Sequence, residues 1–239
     1  MYNLSFMKKI IIFGFSHCGT TILRTIIGHI EEIYEIKKEN DVITNNDINI
    51  ATKLNKNYVL CKSPQAKDIF FNSRYDDYIK IFIIRNPLWV YSSLNRRTSY
   101  NLTDYHNFKK FEYSSSKFYQ YLNNPKKNYY LIKYEDLFIN NYQNIRNILD
   151  NIGLSYNDNI FDNSLYYDLN ELKKNKINDP TNHSNFRQWQ IKQEFVNNNN
   201  LDKLELTNRQ IKNITMNKII NQLYPEIKDL IKHVKIKNN

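Results

Sequence analysis

Between residues 9 and 30 the chain passes from a β-branched run through a glycine-bounded turn into an apolar-striped helix, and this succession constrains the fold more than any other feature. Residues 9–13 read Lys-Ile-Ile-Ile-Phe. Consecutive apolar positions, rather than alternating ones, mark a strand buried on both faces, which is the habit of parallel sheets. Gly14 to Gly19 form a tight turn. Residues 21–30 then place Ile22, Leu23, Ile26, Ile27 and Ile30 on one stripe of a helix. A parallel strand reaches its neighbour only by a crossover, normally a helix, so the opening predicts an α/β fold.

The rest of the chain repeats the theme. Residues 58–61, 79–84 and 129–133 are further short apolar strands. The second is stopped by Lys62-Ser63-Pro64 and the third by Arg85-Asn86-Pro87. Helical spacing follows at 88–94, from about 141 to 152, and at 206–223. Four strands alternating with helices predict a doubly wound parallel sheet between helical layers, a P-loop-like three-layer sandwich. No composition break marks a boundary, so residues 1–239 read as a single domain. The stretch 155–200 is polar and irregular, and the four asparagines 197–200 read as a surface loop.

Composition excludes several function classes. The 239 residues carry a formal charge of +10, together with 38 Asn and 32 Ile. Asn, Ile, Lys and Tyr codons are AT-rich, so coding bias explains much of the basic excess. The basic pairs 8–9, 37–38, 96–97, 109–110, 126–127 and 173–174 are scattered rather than banded, which argues against a nucleic-acid groove. Cys18 and Cys61 are the only cysteines, too few for a disulfide framework or a four-cysteine metal site. The five histidines lack metal spacing, so no metal is expected. No 18-residue apolar stretch predicts a membrane span. Lys8-Lys9 precede an apolar run too short for a signal peptide. The expected compartment is therefore cytoplasmic.

The octet Gly14-Phe15-Ser16-His17-Cys18-Gly19-Thr20-Thr21 carries the chemistry. Its two glycines have the spacing of a Walker-type loop, but Thr20 stands where the lysine belongs. Backbone amides in such a loop, with the helix start behind them, still bind phosphate oxygens. The cation that neutralises a triphosphate in phosphoryl transfer is missing. The loop is built for phosphate and not for ATP hydrolysis.

With these residues in view, the octet resembles the 5′-phosphosulfate loop of the sulfotransferases that use 3′-phosphoadenosine 5′-phosphosulfate (PAPS). Gly19, Thr20, Thr21 and Leu23 match. His17 stands where that family has Lys or Arg, and Cys18 where it has Ser. A second segment, Arg85-Asn86-Pro87 with Ser93 eight residues after the arginine, resembles the family's 3′-phosphate segment. A third, Lys62-Ser63-Pro64 at a strand end, resembles the segment whose lysine faces the transferring group, and Lys133-Tyr134-Glu135-Asp136-Leu137 resembles a mostly structural one. Phe186-Arg187-Gln188-Trp189 is similar to a late segment that folds over the nucleotide.

The resemblance implies PAPS as the cosubstrate, with adenosine 3′,5′-bisphosphate as the product and no metal. It implies nucleotide contacts from Ser16, His17, Cys18, Gly19, Thr20, Thr21, Arg85, Ser93 and Arg187. His17 and Lys62 are expected to stabilise charge in the transfer. A general base is expected among Glu31, Glu32, Glu35 and Glu39, with Glu39 favoured, Glu35 next, and His106 a separate candidate. The acceptor is expected to be a small molecule or carbohydrate bearing a hydroxyl or amine, and the stretch 98–128 is expected to cover its cleft. The rival readings are a kinase-like P-loop nucleotide enzyme and a protein of the same fold that binds PAPS without transferring from it.

Overall fold

The isoleucine run near the N-terminus becomes the middle strand of a five-stranded parallel sheet. The computed structural model of the protein describes residues 7–96, 107–168 and 191–237. Strand β1 (Lys8–Phe13) is followed by helix α1 (Thr20–Gly28), and β2 (Ile33–Glu35) by α2 (Asn45–Lys53). Then come β3 (Tyr58–Ser63), β4 (Tyr78–Ile84), α3 (Pro87–Asn95), α4 (Phe108–Asn123), β5 (Tyr129–Lys133) and α5 (Gln143–Ile152). The sheet order is β2-β3-β1-β4-β5, all parallel. Ile10 sits opposite Leu60 on one side and Ile79 on the other.

Burial on both faces follows from the alternation along β1. Ile10 and Ile12 belong to one core, with Leu23, Ile26 and Ile27 of α1 and Ile145, Ile148 and Leu149 of α5. Ile11 and Phe13 belong to the other, with Ala51 of α2, Val90 of α3 and Phe111 and Phe118 of α4. Helices therefore cover both faces, and the three-layer α/β expectation describes the fold. On the second face the chain continues through β6 (Glu205–Leu206), α6 (Asn208–Met216), α7 (Lys218–Leu223), α8 (Ile227–Leu230) and β7 (Lys235–Ile236).

Two local readings change, and one helix is added. The sheet has a fifth strand, because 33–35 pairs with β3 at the edge. Three residues with one buried position are too short for a periodicity to show. Within the stretch expected to cover an acceptor cleft, residues 108–123 form α4 and bury Phe111, Ser114, Ser115, Phe118 and Tyr121. That i, i+3/i+4, i+7 stripe makes α4 part of the helical layer. The 206–223 helix is two helices, broken at Asn217, whose side chain accepts from Ile220 N and starts the second. Part of the asparagine excess serves this way, since Asn86 and Asn107 cap α3 and α4.

Candidate active site

The chain leaves β1 toward β2 and β3 on one side and later returns to β4 on the other. The loop after β1 therefore lies at the sheet's switch point, where open parallel sheets bind ligands. Its backbone is fixed by close approach. A Cβ on Gly14 would sit 2.1 Å from the carbonyl oxygen of Ile83, so only glycine lets the loop pass β4. Gly19 has φ of 97°, and a Cβ there would lie 2.4 Å from the ring of Tyr134. His17 also has positive φ, 66°. Cys18 N donates to Phe15 O at 3.2 Å, closing the turn. The first amides of α1 have no acceptor within the helix, and no side chain caps them at Gly19.

The loop residues divide by role. The side chain of Cys18 is fully buried, and burial pushes its thiol well above the ordinary value, so it contributes packing and backbone. Thr20 is buried at the first turn of α1. Ser16 Oγ donates to Pro64 O at 3.2 Å and ties the loop to the end of β3. Thr21 and His17 each reach a second element of the site.

Thr21 reaches Lys62. The lysine lies at the carboxyl end of β3 with a side chain only 3% exposed. Its ammonium donates to Thr21 Oγ1 at 2.7 Å and pairs with Glu39 Oε1 at 2.9 Å. Glu39 is brought there by backbone anchors. Asn40 N donates to Lys62 O at 3.1 Å, and Arg24 Nη1 donates to Lys37 O at 2.9 Å. Arg24 in turn is buried on α1 and pairs with Glu35 at 2.9 Å, and Lys37 pairs with the same carboxylate. Of the glutamates in 31–39, Glu39 is the one at the lysine. Glu35 is committed to the Arg24 pair and Glu32 accepts from Asn57 at 2.9 Å, while Glu31 is exposed.

His17 reaches the other side. Its Nδ1 and Ser93 Oγ are 2.7 Å apart, and its carbonyl accepts from Arg85 Nη1 at 3.3 Å. Arg85 ends β4, is 7% exposed, and lies over the ring of Tyr134 with its central carbon 4.0 Å from the centroid. Its Nε donates to Asn199 Oδ1 at 3.0 Å, and Nη2 donates to the same oxygen. Asn199 Nδ2 donates to Glu135 Oε1 at 3.2 Å, which also accepts from Asn86 N at 3.0 Å. Burial raises the Glu135 carboxyl above the usual carboxylate range, and its bonds to Asn86 and the nearby Arg85 oppose that rise.

Two centres result, one at each side of the loop: Lys62 with Thr21 and Glu39, and Arg85 with His17 and Ser93. The lysine centre joins a fixed cation to a carboxylate that can accept a proton. The arginine centre groups a guanidinium, a hydroxyl and an imidazole, the kinds of side chain that bind anions. His106 and Arg187 lie outside the described residues. Sequence reasoning missed Arg24, Tyr134 and Asn199. An arginine on the apolar-striped α1 was a signal for a buried partner. Asn199, inside a run of four asparagines, gave none.

Among the described residues no three His, Cys, Asp or Glu are grouped to hold a metal ion, and no helix is long and apolar enough to cross a membrane. No protein-family profile and no curated protein matches the chain in sequence. Among solved structures, it is similar to a sulfotransferase domain from the curacin biosynthetic pathway at 14% identity and a TM-score of 0.46, over 65% of this chain and 77% of that one. It is also similar to mouse sulfotransferase SULT7A1 complexed with PAP, at 14% identity and a TM-score of 0.45, over 64% of this chain and 62% of that one.

Proposed function

We propose that the protein is a sulfotransferase that takes its sulfuryl group from PAPS and delivers it to a hydroxyl or amine acceptor, a carbohydrate hydroxyl among the candidates. The observation that carries this reading is the pairing of a phosphate-type loop without its lysine with two buried cations, Lys62 and Arg85, at the ends of the flanking strands β3 and β4. A kinase-like reading needs a cation directly after Gly19, where Thr20 stands.

The residues fit the cosubstrate. The loop approaches β4 and Tyr134 so closely that no side chain fits at Gly14 or Gly19, which leaves backbone amides to meet phosphate oxygens. Arg85 and Ser93 are the groups for the 3′-phosphate. PAPS supplies the activated sulfuryl group. Lys62 holds a positive charge at the loop, where a donor fixed before the reaction costs no reorganisation. Glu39 accepts the proton that the acceptor hydroxyl or amine loses, and its pairing with Lys62 keeps the carboxylate in place. His17, through Ser93 and its own carbonyl, joins the loop to the arginine centre.

Calorimetry with adenosine 3′,5′-bisphosphate, ATP and a short DNA duplex tests the reading. The wild type is expected to bind the bisphosphate and neither competitor comparably. Arg85→Ala should lose roughly 2–5 kcal/mol of that binding, the usual consequence of removing one partner of a buried charged contact. Equal affinity in the two proteins, or preference for ATP, overturns it.

A further inference from the structure

The side fork of Arg85 is already filled. Both Nε and Nη2 point at one oxygen, Asn199 Oδ1, and Nη1 is given to the His17 carbonyl. Tyr134 covers one face of the guanidinium, and the residue is 7% exposed. Ser93 is engaged too, by the His17 ring. The Nε and Nη2 donors form the edge on which arginine takes a carboxylate or a phosphate. The carboxamide oxygen of Asn199 thus occupies an anion's place without an anion's charge.

The segment that carries Asn199 is pinned at both ends and lightly held between. At its root, Asn163 Nδ2 donates to Ile191 O at 3.0 Å and to Gln193 O at 2.5 Å, and Tyr142 OH donates to Phe195 O at 3.4 Å. Beyond the tip, Arg96 Nη1 donates to Lys203 O at 2.6 Å, and Leu204 and Leu206 are fully buried. Between these anchors Val196, Asn197, Asn198 and Asn200 are exposed. The tip buries no apolar side chain. Its bonds to the body run to Tyr134, Glu135 and Arg85, all three at the carboxyl ends of the strands.

We infer that residues 196–200 form a self-occupying gate, in which the Asn199 carboxamide holds the Arg85 fork until a phosphate group displaces it. The inference rests on the nucleotide reading above and adds to it that binding is an exchange. A phosphate adds its own negative charge to bonds that the guanidinium already strengthens, where a neutral amide brings only a dipole, so the exchange runs toward the ligand. The gate lowers the apparent affinity by the fraction of molecules with the fork open. It also keeps a buried arginine satisfied in the empty protein, where an unpaired one would be costly.

Titration calorimetry of three folded proteins with adenosine 3′,5′-bisphosphate separates a gate from a scaffold. Asn199→Ala opens the fork and should bind about tenfold more tightly than the wild type, because the closed fraction no longer competes. Asn199→Asp puts a charged competitor on the same fork and should bind at least about tenfold more weakly. Thermal unfolding of each variant establishes that the fold survives. If Asn199 were a support for Arg85 or a direct phosphate ligand, the alanine variant would bind more weakly. An alanine variant equal to or weaker than the wild type therefore overturns the gate while leaving the nucleotide reading intact. If neither the wild type nor Asn199→Ala binds the bisphosphate, the nucleotide reading falls and the gate falls with it. An alanine variant that binds where the wild type does not is the gate in its strictest form.

Discussion

Lys62 and Arg85 are both buried cations at the carboxyl end of the sheet, and they are held in opposite ways. Lys62 is fixed by groups nearer in sequence than those of Arg85, with Thr21 on α1 41 residues away and Glu39 just past β2. Arg85 takes its side-fork partner from Asn199, 114 residues along the chain, in a segment tied by side chains rather than by a strand ladder. The first arrangement is set once α1 and β3 pack together. The second depends on a strap whose tip can exchange. A prebuilt cation suits a charge that appears only in a transition state. An exchangeable one suits a ligand that must enter and leave.

The largest expected effects test the rigid side. Lys62→Ala should lower the turnover number by roughly a hundredfold to a thousandfold, the usual cost of removing one preorganised donor to developing charge. Its affinity for adenosine 3′,5′-bisphosphate should stay within a few fold, because the arginine centre is untouched. Glu39→Gln should also lower turnover by about a hundredfold or more while sparing nucleotide affinity, as expected for a lost general base. Labelled PAPS and an acceptor found by screening sugars, phenols and peptides provide the assay. If Lys62→Ala loses nucleotide affinity and keeps turnover, the division of labour between the two cations is wrong.

A smaller effect probes the exchangeable side. Ser93→Ala removes one hydroxyl from the arginine centre, and with it the contact to His17 Nδ1. The loss of one hydrogen bond, about 1 kcal/mol, should weaken bisphosphate binding by about fivefold. Turnover at saturating PAPS should stay the same. Fluorescence titration and steady-state kinetics measure the two quantities separately. A fall in turnover with unchanged affinity would move Ser93 from the phosphate centre to the chemistry.

The same contrast explains what the sequence disclosed. The lysine centre and the loop are built from strand ends and helix starts, where period and punctuation are visible. Ile10 to Phe13, the two loop glycines, Lys62 before Ser63-Pro64, and Arg85 before Asn86-Pro87 are all legible in the sequence. Glu39 was favoured from the sequence, but nothing there set Glu35 aside, because the Arg24 that pairs with Glu35 meets it only in the fold. Strand β2 was hidden by its three-residue length, and α4 by a buried stripe that runs through Ser114 and Ser115, which carry no apolar signal. Asn199 was hidden most completely. Its role comes from a tertiary contact, and no local propensity separates it from Asn197, Asn198 or Asn200.

The smallest effect concerns the root of the strap. Phe195 lies 6.0 Å from the ring of His29, which is stacked on Tyr166 at 3.6 Å. His29 Nδ1 donates to Ile160 O at 3.3 Å, so its neutral form carries the proton there. Its Nε2 is buried and has no hydrogen-bond partner among the described residues. Protonation would place a new donor in that unpartnered position, and burial accordingly holds the imidazole below its ordinary value of 6.5. A depressed histidine leaves the folded state binding fewer protons than the unfolded one, so stability rises with pH across that interval. The contribution is complete above about pH 6.5 and is lost as the pH falls toward the folded value. Thermal unfolding from pH 7.5 to pH 5 should therefore show a declining midpoint that His29→Phe flattens, with the ring stack retained. The strap root should loosen in parallel, so amide protection at 191–196, taken relative to the intrinsic exchange rate at each pH, should fall on acidification in the wild type more than in the variant. If the two proteins lose stability equally, His29 does not couple pH to the strap, and the exchangeable side of the site answers to the nucleotide alone.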